Sequence, residues 1–280
     1  FIKNSFVLIL GTGLAQLIPV ALQFPLRKFF TPEEFGTFAV YYGIVSILAI
    51  LANFRYSTTI VIPKEDDDGL NLLSGSIILS FAFSILTFLF FLFFGEFIID
   101  YFEFPNALKK WMLLIPLSIF LVSSHLSLSY WLTRKKMFKG LAFNKVSRRS
   151  SEGISQYLFG FFKTNGGLVW GTLIGDIFNF FTYLYQVKIS VQSFKSITLT
   201  NIKVQLNRYV EFPKYSLIPS FLDAFSLALP VFIITSLYSE KITGQYDLTV
   251  KILSVPLALI SLAISQVLIQ KISELKNNQK

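Results

Sequence analysis

Residues 70–94 read LNLLSGSIILSFAFSILTFLFFLFF, a run of twenty-five positions without an ionisable side chain. About 20 consecutive apolar residues carry an α-helix across the hydrocarbon core of a bilayer. A loop or lone strand there would leave backbone N–H and C=O groups unsatisfied in lipid, so the run reads as a helix. Working outward, six more runs qualify: Ser5–Leu26, Gly36–Ile62, Trp111–Leu132, Leu168–Val187, Leu217–Leu237 and Leu248–Gln270. An eighth, Ala142–Phe162, is weaker because it carries Arg148, Arg149 and Glu152. The expected fold class is all-α, a polytopic transmembrane bundle of about eight helices.

Composition agrees. Of 280 residues, 53% are hydrophobic and 32 are Phe, while 15% are charged; soluble domains carry about 25% charged residues. That much apolar surface needs lipid as its solvent. Cysteine is absent, which excludes disulfides, thiolate metal sites and Cys nucleophiles, and the single histidine, His125, excludes multi-His metal sites. No metal or cofactor is expected. The net charge of +9 sits between the apolar runs, a pattern of membrane topology rather than of nucleic-acid binding.

With the N-terminus placed in the cytoplasm, inside segments hold 17 Lys and Arg residues and outside loops hold 6. This satisfies the positive-inside rule. It does so only if the weak eighth helix is kept, because otherwise the basic 188–216 segment falls outside. The expected organisation is a six-helix lobe over 1–187, a basic cytoplasmic linker over 188–216, and the first two helices of a second lobe over 217–280. An opening at Phe1 and an ending without a stop signal read as a fragment lacking a few N-terminal residues and a larger C-terminal part. An internal echo supports two lobes: Phe29-Phe30-Thr31 and Gly36-Thr37-Phe38 align with Leu237-Tyr238-Ser239 and Gly244-Gln245-Tyr246, at an offset of 208 residues. Gly167, Gly171 and Gly175 form a double small-xxx-small pattern, read as helix packing.

An ionised side chain at mid-bilayer costs at least ~2.5–3.5 kcal/mol, so such groups mark function. Arg55, Asp176, Asp223 and Lys251 fall within expected spans. Thr172, Asp176, Asn179, Tyr183 and Gln186 share one helical face, as do Asp247, Lys251, Ser254, Ser261 and Ser265, and as do Thr12, Gln16 and Gln23. Such stripes face one another or a watery cavity. Plainer readings stand beside these. Asp247 or Asp223 with Lys251 would be a packing ion pair, Arg55 would snorkel to headgroups, and Arg148, Arg149 and Glu152 would mark an interfacial helix start. His125 would be a neutral hydrogen-bonded side chain, and Glu65-Asp66-Asp67-Asp68 a solvated loop. No G-x-S-x-G, H-E-x-x-H or P-loop pattern occurs, so no enzyme is expected.

Several stretches resemble the polysaccharide or O-antigen flippases of the multidrug/oligosaccharidyl-lipid/polysaccharide exporter superfamily. They are Lys3-Asn4-Ser5 with Gly11-Thr12-Gly13, Ala15-Gln16 and Pro19; the turn Thr31-Pro32-Glu33-Glu34-Phe35-Gly36; Phe54-Arg55-Tyr56 followed by Ile62-Pro63-Lys64; Gly167-Leu168 with Gly171; and the segment ending in Val255-Pro256. The resemblance implies a protein of twelve to fourteen helices in two pseudo-symmetric bundles. It implies alternating access, in a bacterial inner membrane, around a cation-lined cavity for an undecaprenyl-pyrophosphate oligosaccharide. On that basis Arg55 and Lys251, with Arg148 or Arg149, are expected to bind the diphosphate and Gln16 the sugars. Asp223 or Asp176 is expected to couple transport to H⁺ or Na⁺. The expected partners are lipid-linked oligosaccharide, the coupling ion and membrane lipid, and no nucleic acid. The rivals are a drug or cation antiporter of the same superfamily, with an acidic or aromatic cavity, and a membrane-embedded polymerase or glycosyltransferase, which the short outside loops disfavour.

Overall fold

The computed structural model describes residues 17–187, 196–254 and 257. Those residues form helices joined by turns: α1 (Leu17–Leu26), α2 (Pro32–Ala52), α3 (Asp66–Tyr101), α4 (Ile115–Arg134), α5 (Phe138–Phe161), α6 (Gly167–Gln186), α7 (Leu199–Arg208), α8 (Glu211–Leu237) and α9 (residues 240–254). The chain is an all-α polytopic bundle. Among the described residues, four helical segments are long and apolar enough to cross a membrane: Pro32–Ala52, Asp66–Tyr101, Met112–Arg134 and Glu211–Leu237.

Local chemistry sets the boundaries. Pro32 occupies the first turn of α2, and Thr31 with Glu34 forms a capping box: the Thr31 Oγ1 accepts from the Glu34 N–H at 3.3 Å, and Glu34 Oε2 accepts from the Thr31 N–H at 2.8 Å. The helix does not continue to Ile62 as expected. It stops at Ala52, and Phe54 and Arg55 take left-handed φ values of 49° and 64°. Asn53 makes the break: its Oδ1 accepts the Arg55 N–H at 2.9 Å, and its Nδ2 donates toward Ser127 on α4 at 3.4 Å. The following Ser57-Thr58-Thr59-Ile60-Val61 is rich in β-branched residues, and Pro63 bars further helix; a 3₁₀ turn spans Tyr56–Val61.

The acidic run is not a loop. Asp66, Asp67 and Asp68 form the first turn of α3, where carboxylates complement the helix dipole. Asp66 also pairs with Arg134 at 2.9 Å and with Lys135, both at the far end of α4. The Arg134 guanidinium donates to the carbonyls of Ile60, Pro63 and Lys64 at 3.2, 2.6 and 3.2 Å, tying down the turn between α2 and α3. With 36 residues, α3 is roughly 54 Å long and must tilt or project beyond the ~30 Å core.

The buried face of α4 carries Ser118, Ser123, Ser124 and Ser127. Small polar residues let helices approach and bond across the contact. Tyr41 on α2 meets Ser118 at 2.7 Å, and Ser80 on α3 meets Ser123 at 2.7 Å. Helices α5 and α6 form a close antiparallel pair: a Cβ on Gly171 would lie 2.4 Å from Gln156 Cγ, and one on Gly175 2.8 Å from Glu152 Cβ. Leu22 of α1 packs on Gly153 of α5. Inside the span expected as a basic cytoplasmic linker, α7 lays Ile202 and Leu206 against Gly75 of α3, and Gln205 donates to Asp68 at 2.7 Å. Then α8 begins at Glu211 and packs along α2 through Ala224, Ala228 and Phe232.

Candidate functional site

The inward faces of α1, α2, α4, α5, α6 and α9 enclose a cavity of about 660 Å³. Helix α5 supplies most of its chemistry. Lys145, Arg148, Arg149, Glu152, Gly153 and Gln156 all line it, at spacings of three and four that put them along one helical face. The weak hydropathy of this helix therefore has a structural reason: its polar side faces the cavity instead of lipid.

The charges are arranged in pairs. Arg148 Nε meets Asp176 Oδ1 at 2.6 Å, with side chains 12% and 1% exposed. Arg149 Nη1 meets Glu152 Oε2 at 2.9 Å, while Glu152 Oε1 accepts from Thr172 at 3.1 Å. Gln156 Nε2 donates to Thr172 Oγ1 at 3.2 Å, extending the network up α5 and α6. On α9, Lys251 Nζ meets Asp247 at 2.7 Å and lies over the Phe38 ring, 5.6 Å from its centroid. Lys145, Arg148, Arg149 and Lys251 line the cavity, against one lining carboxylate, Glu152. Asp176 and Asp247 stand behind the cations they neutralise.

Neutral polar groups fill the rest of the wall. His125 stacks in parallel on Tyr183, at 6.2 Å between centroids and 4° between planes. Its Nδ1, Gln23 Oε1 and Asn179 Oδ1 are buried and have no hydrogen-bond partner among the described residues. Asn144 and Gln186 exchange two amide hydrogen bonds of 3.0 Å at one end.

The expected site residues divide by place. Arg148, Arg149 and Lys251 come together on the cavity wall, and Asp176 joins them through Arg148. Gln16 lies outside the described residues; Gln23, on the same stripe, lines the cavity. Arg55 is half-buried at the break after α2, with its Nε unpartnered, and is not on the cavity wall. Asp223 is exposed on α8 and also off the wall. Sequence reasoning did not single out Lys145, Glu152 or Gln156 as site residues. The signal that marks them is the heptad-like spacing along α5. Among the described residues no group of three His, Cys, Asp or Glu is placed to hold a metal ion.

Comparison with known proteins bears on this geometry. A family model described as "Polysaccharide biosynthesis protein" matches residues 26–280. No curated protein matches the sequence. Among solved structures, an inward-facing multidrug resistance MATE family transporter of the MOP superfamily superposes with a TM-score of 0.61 at 14% identity, covering 85% of this chain and 56% of that one. A crystal structure of MATE in complex with Br-NRF gives a TM-score of 0.52 at 14% identity, covering 84% and 57%. The chain thus spans little more than half the length of these transporters and shares their fold over that part. With a match that runs through nearly all of its helices, the chain belongs to the polysaccharide biosynthesis protein family, built on the MATE-type helical fold.

Proposed function

We propose that this chain is the greater part of a bacterial inner-membrane flippase that carries a lipid-linked oligosaccharide, bearing a pyrophosphate, across the membrane by alternating access. The single observation that carries the reading is the cluster of cations on the cavity wall: among the described residues Lys145, Arg148, Arg149 and Lys251 line it, and Arg149 and Lys251 stay about one-third exposed beside their carboxylate partners, in a member of a polysaccharide biosynthesis family. A diphosphate offers several anionic oxygens, and Arg and Lys bind these through short charge-assisted hydrogen bonds. Arg149 and Lys251 are the cations best placed for it, since each is about one-third exposed and held by a single carboxylate. Arg148 is more deeply engaged by Asp176 and orients the cluster. Gln23, Asn179 and His125 offer hydrogen bonds to sugar hydroxyls. Arg55 and Asp223 lie off the wall and are left out of this proposal. Asp176 is the carboxylate proposed for coupling to H⁺ or Na⁺, because it alone of the two acidic candidates contacts a cavity cation.

The experiment is transport of lipid-linked oligosaccharide by the full-length protein in proteoliposomes. Arg149→Ala and Lys251→Ala are each expected to lower the initial rate at least tenfold, which corresponds to about 1.4 kcal/mol of lost interaction. Normal rates in both variants would remove the phosphate assignment.

A second reading, export of organic cations, is favoured by the likeness to MATE transporters. The partly exposed Arg149 and Lys251 heads on the wall oppose it, since a cationic guest would meet like charges there. Saturable, gradient-driven uptake of an organic cation, with no flipping of the lipid-linked sugar, would reverse the choice.

A further inference from the structure

The cavity wall runs from Thr133 and Leu141, at the end expected to face the cytoplasm, to Leu26, Phe35 and Phe38 at the other. That second end lies beneath the crossing of α2 and α9. At the crossing the backbones meet with no side chain between them: a Cβ on Gly36 would sit 1.9 Å from the Glu240 carbonyl oxygen, and a Cβ on Gly244 2.0 Å from that of Pro32. The 208-residue offset maps Pro32 onto Glu240 and Gly36 onto Gly244. The two contacts therefore exchange under the internal repeat, as they would across a pseudo-two-fold axis. A contact without interlocking side chains can part without unpacking a core.

Among the described residues, one side chain hydrogen-bonds across it. Arg27, just beyond α1, donates from Nη2 to the Gly244 carbonyl at 2.9 Å. Its guanidinium lies over the Phe35 ring at 4.5 Å, and Asp247 on α9 attracts it. It is half-buried, with Nε unpartnered. We infer that Arg27 is a latch between the two lobes: it holds the outer ends of α2 and α9 together, and the cavity opens on that side when the Gly244 carbonyl is released. The opening step belongs to the transport cycle proposed above and rests on that reading; the latch itself is read without substrate.

The 280 residues contain no cysteine, so spin labels can be placed at Lys28→Cys and Lys241→Cys, both exposed and on opposite sides of the crossing. In the full-length protein in nanodiscs, one short inter-label distance is expected. Arg27→Ala is expected to add a second, longer population, while Arg27→Lys keeps most of the short one. Thr243→Val serves as a control, because it removes a 2.8 Å bond to Thr235 within the second lobe and should leave the short distance alone. An unchanged distribution in Arg27→Ala, or equal opening by Thr243→Val, would overturn the latch. Arg149→Ala is expected to keep the short distance while losing transport, so the transport reading and the latch fail separately.

Discussion

At the scale of single residues, the Arg148–Asp176 pair is the most consequential contact. Asp176 is buried and Arg148 largely so, and each ion would be costly in that environment alone. Arg148→Ala leaves Asp176 uncompensated and is expected to destabilise the protein by about 3–5 kcal/mol. The double variant Arg148→Met, Asp176→Leu is expected to recover most of that loss while still failing to transport. Reversible unfolding in detergent, together with the flipping assay, checks both halves; equal instability of the single and double variants would refute the pairing. Sequence reasoning had marked both residues, one for substrate and one for ion coupling. It did not join them, because they are 28 positions apart on different helices. Residue type showed that each needed a partner, and only the α5–α6 packing said which.

At the scale of elements, α5 departs most from a simple membrane helix. Lys145, Arg148, Arg149 and Glu152 lie on the side that faces the cavity, and α6 covers a second side through Gly171 and Gly175. Gly175→Val would push the Glu152 backbone away, since even a Cβ there comes within 3.1 Å of the Glu152 nitrogen. The variant is expected to cost about 1–3 kcal/mol by overpacking and to lower transport through displacement of the Arg149–Glu152 pair; Gly175→Ala is expected to be milder. Thermal unfolding of the two side by side checks the order. At the head of α2, Thr31→Ala removes the capping box and is expected to cost about 0.5–2 kcal/mol, with Thr31→Ser close to wild type. The turn Thr31–Gly36 was legible as a motif. Its helical start follows from capping chemistry and from Pro32 at a position where its missing N–H does no harm. The end of α2 was not legible, because the interruption depends on Asn53 reaching α4, a contact distant in sequence. The acidic run was misread for a related reason: Arg134 and Lys135, which neutralise Asp66, come from the end of a helix about seventy residues away.

At the scale of the whole molecule, orientation and the cations of the cavity wall make separate predictions. If the basic segments face the cytoplasm, a membrane-impermeant thiol reagent applied to intact cells should label Lys163→Cys and spare Lys203→Cys, two exposed positions on opposite sides of the proposed topology. The reverse pattern would invert the direction in which the cavity opens. The partly exposed Arg149 and Lys251 on the cavity wall also predict competition: soluble pyrophosphate should slow flipping at low ionic strength and lose that effect as salt rises, because partly exposed charges are screened. Insensitivity to both would argue against an anion site.

Composition and run length alone determined that the chain is a polytopic helical bundle, because lipid admits only helices and closed barrels, and an unbroken apolar run such as 70–94 has neither the length nor the alternation of a barrel strand. The placement of Lys and Arg between the runs yields an orientation, since charge near a span is a local property of the chain. Which polar residues share the cavity was decided by tertiary structure. A stripe of spacing three and four shows that a helix has a wet side. Only the packing of α1, α2, α4, α5, α6 and α9 around one space shows that Arg149 and Lys251 look into it and Arg55 does not.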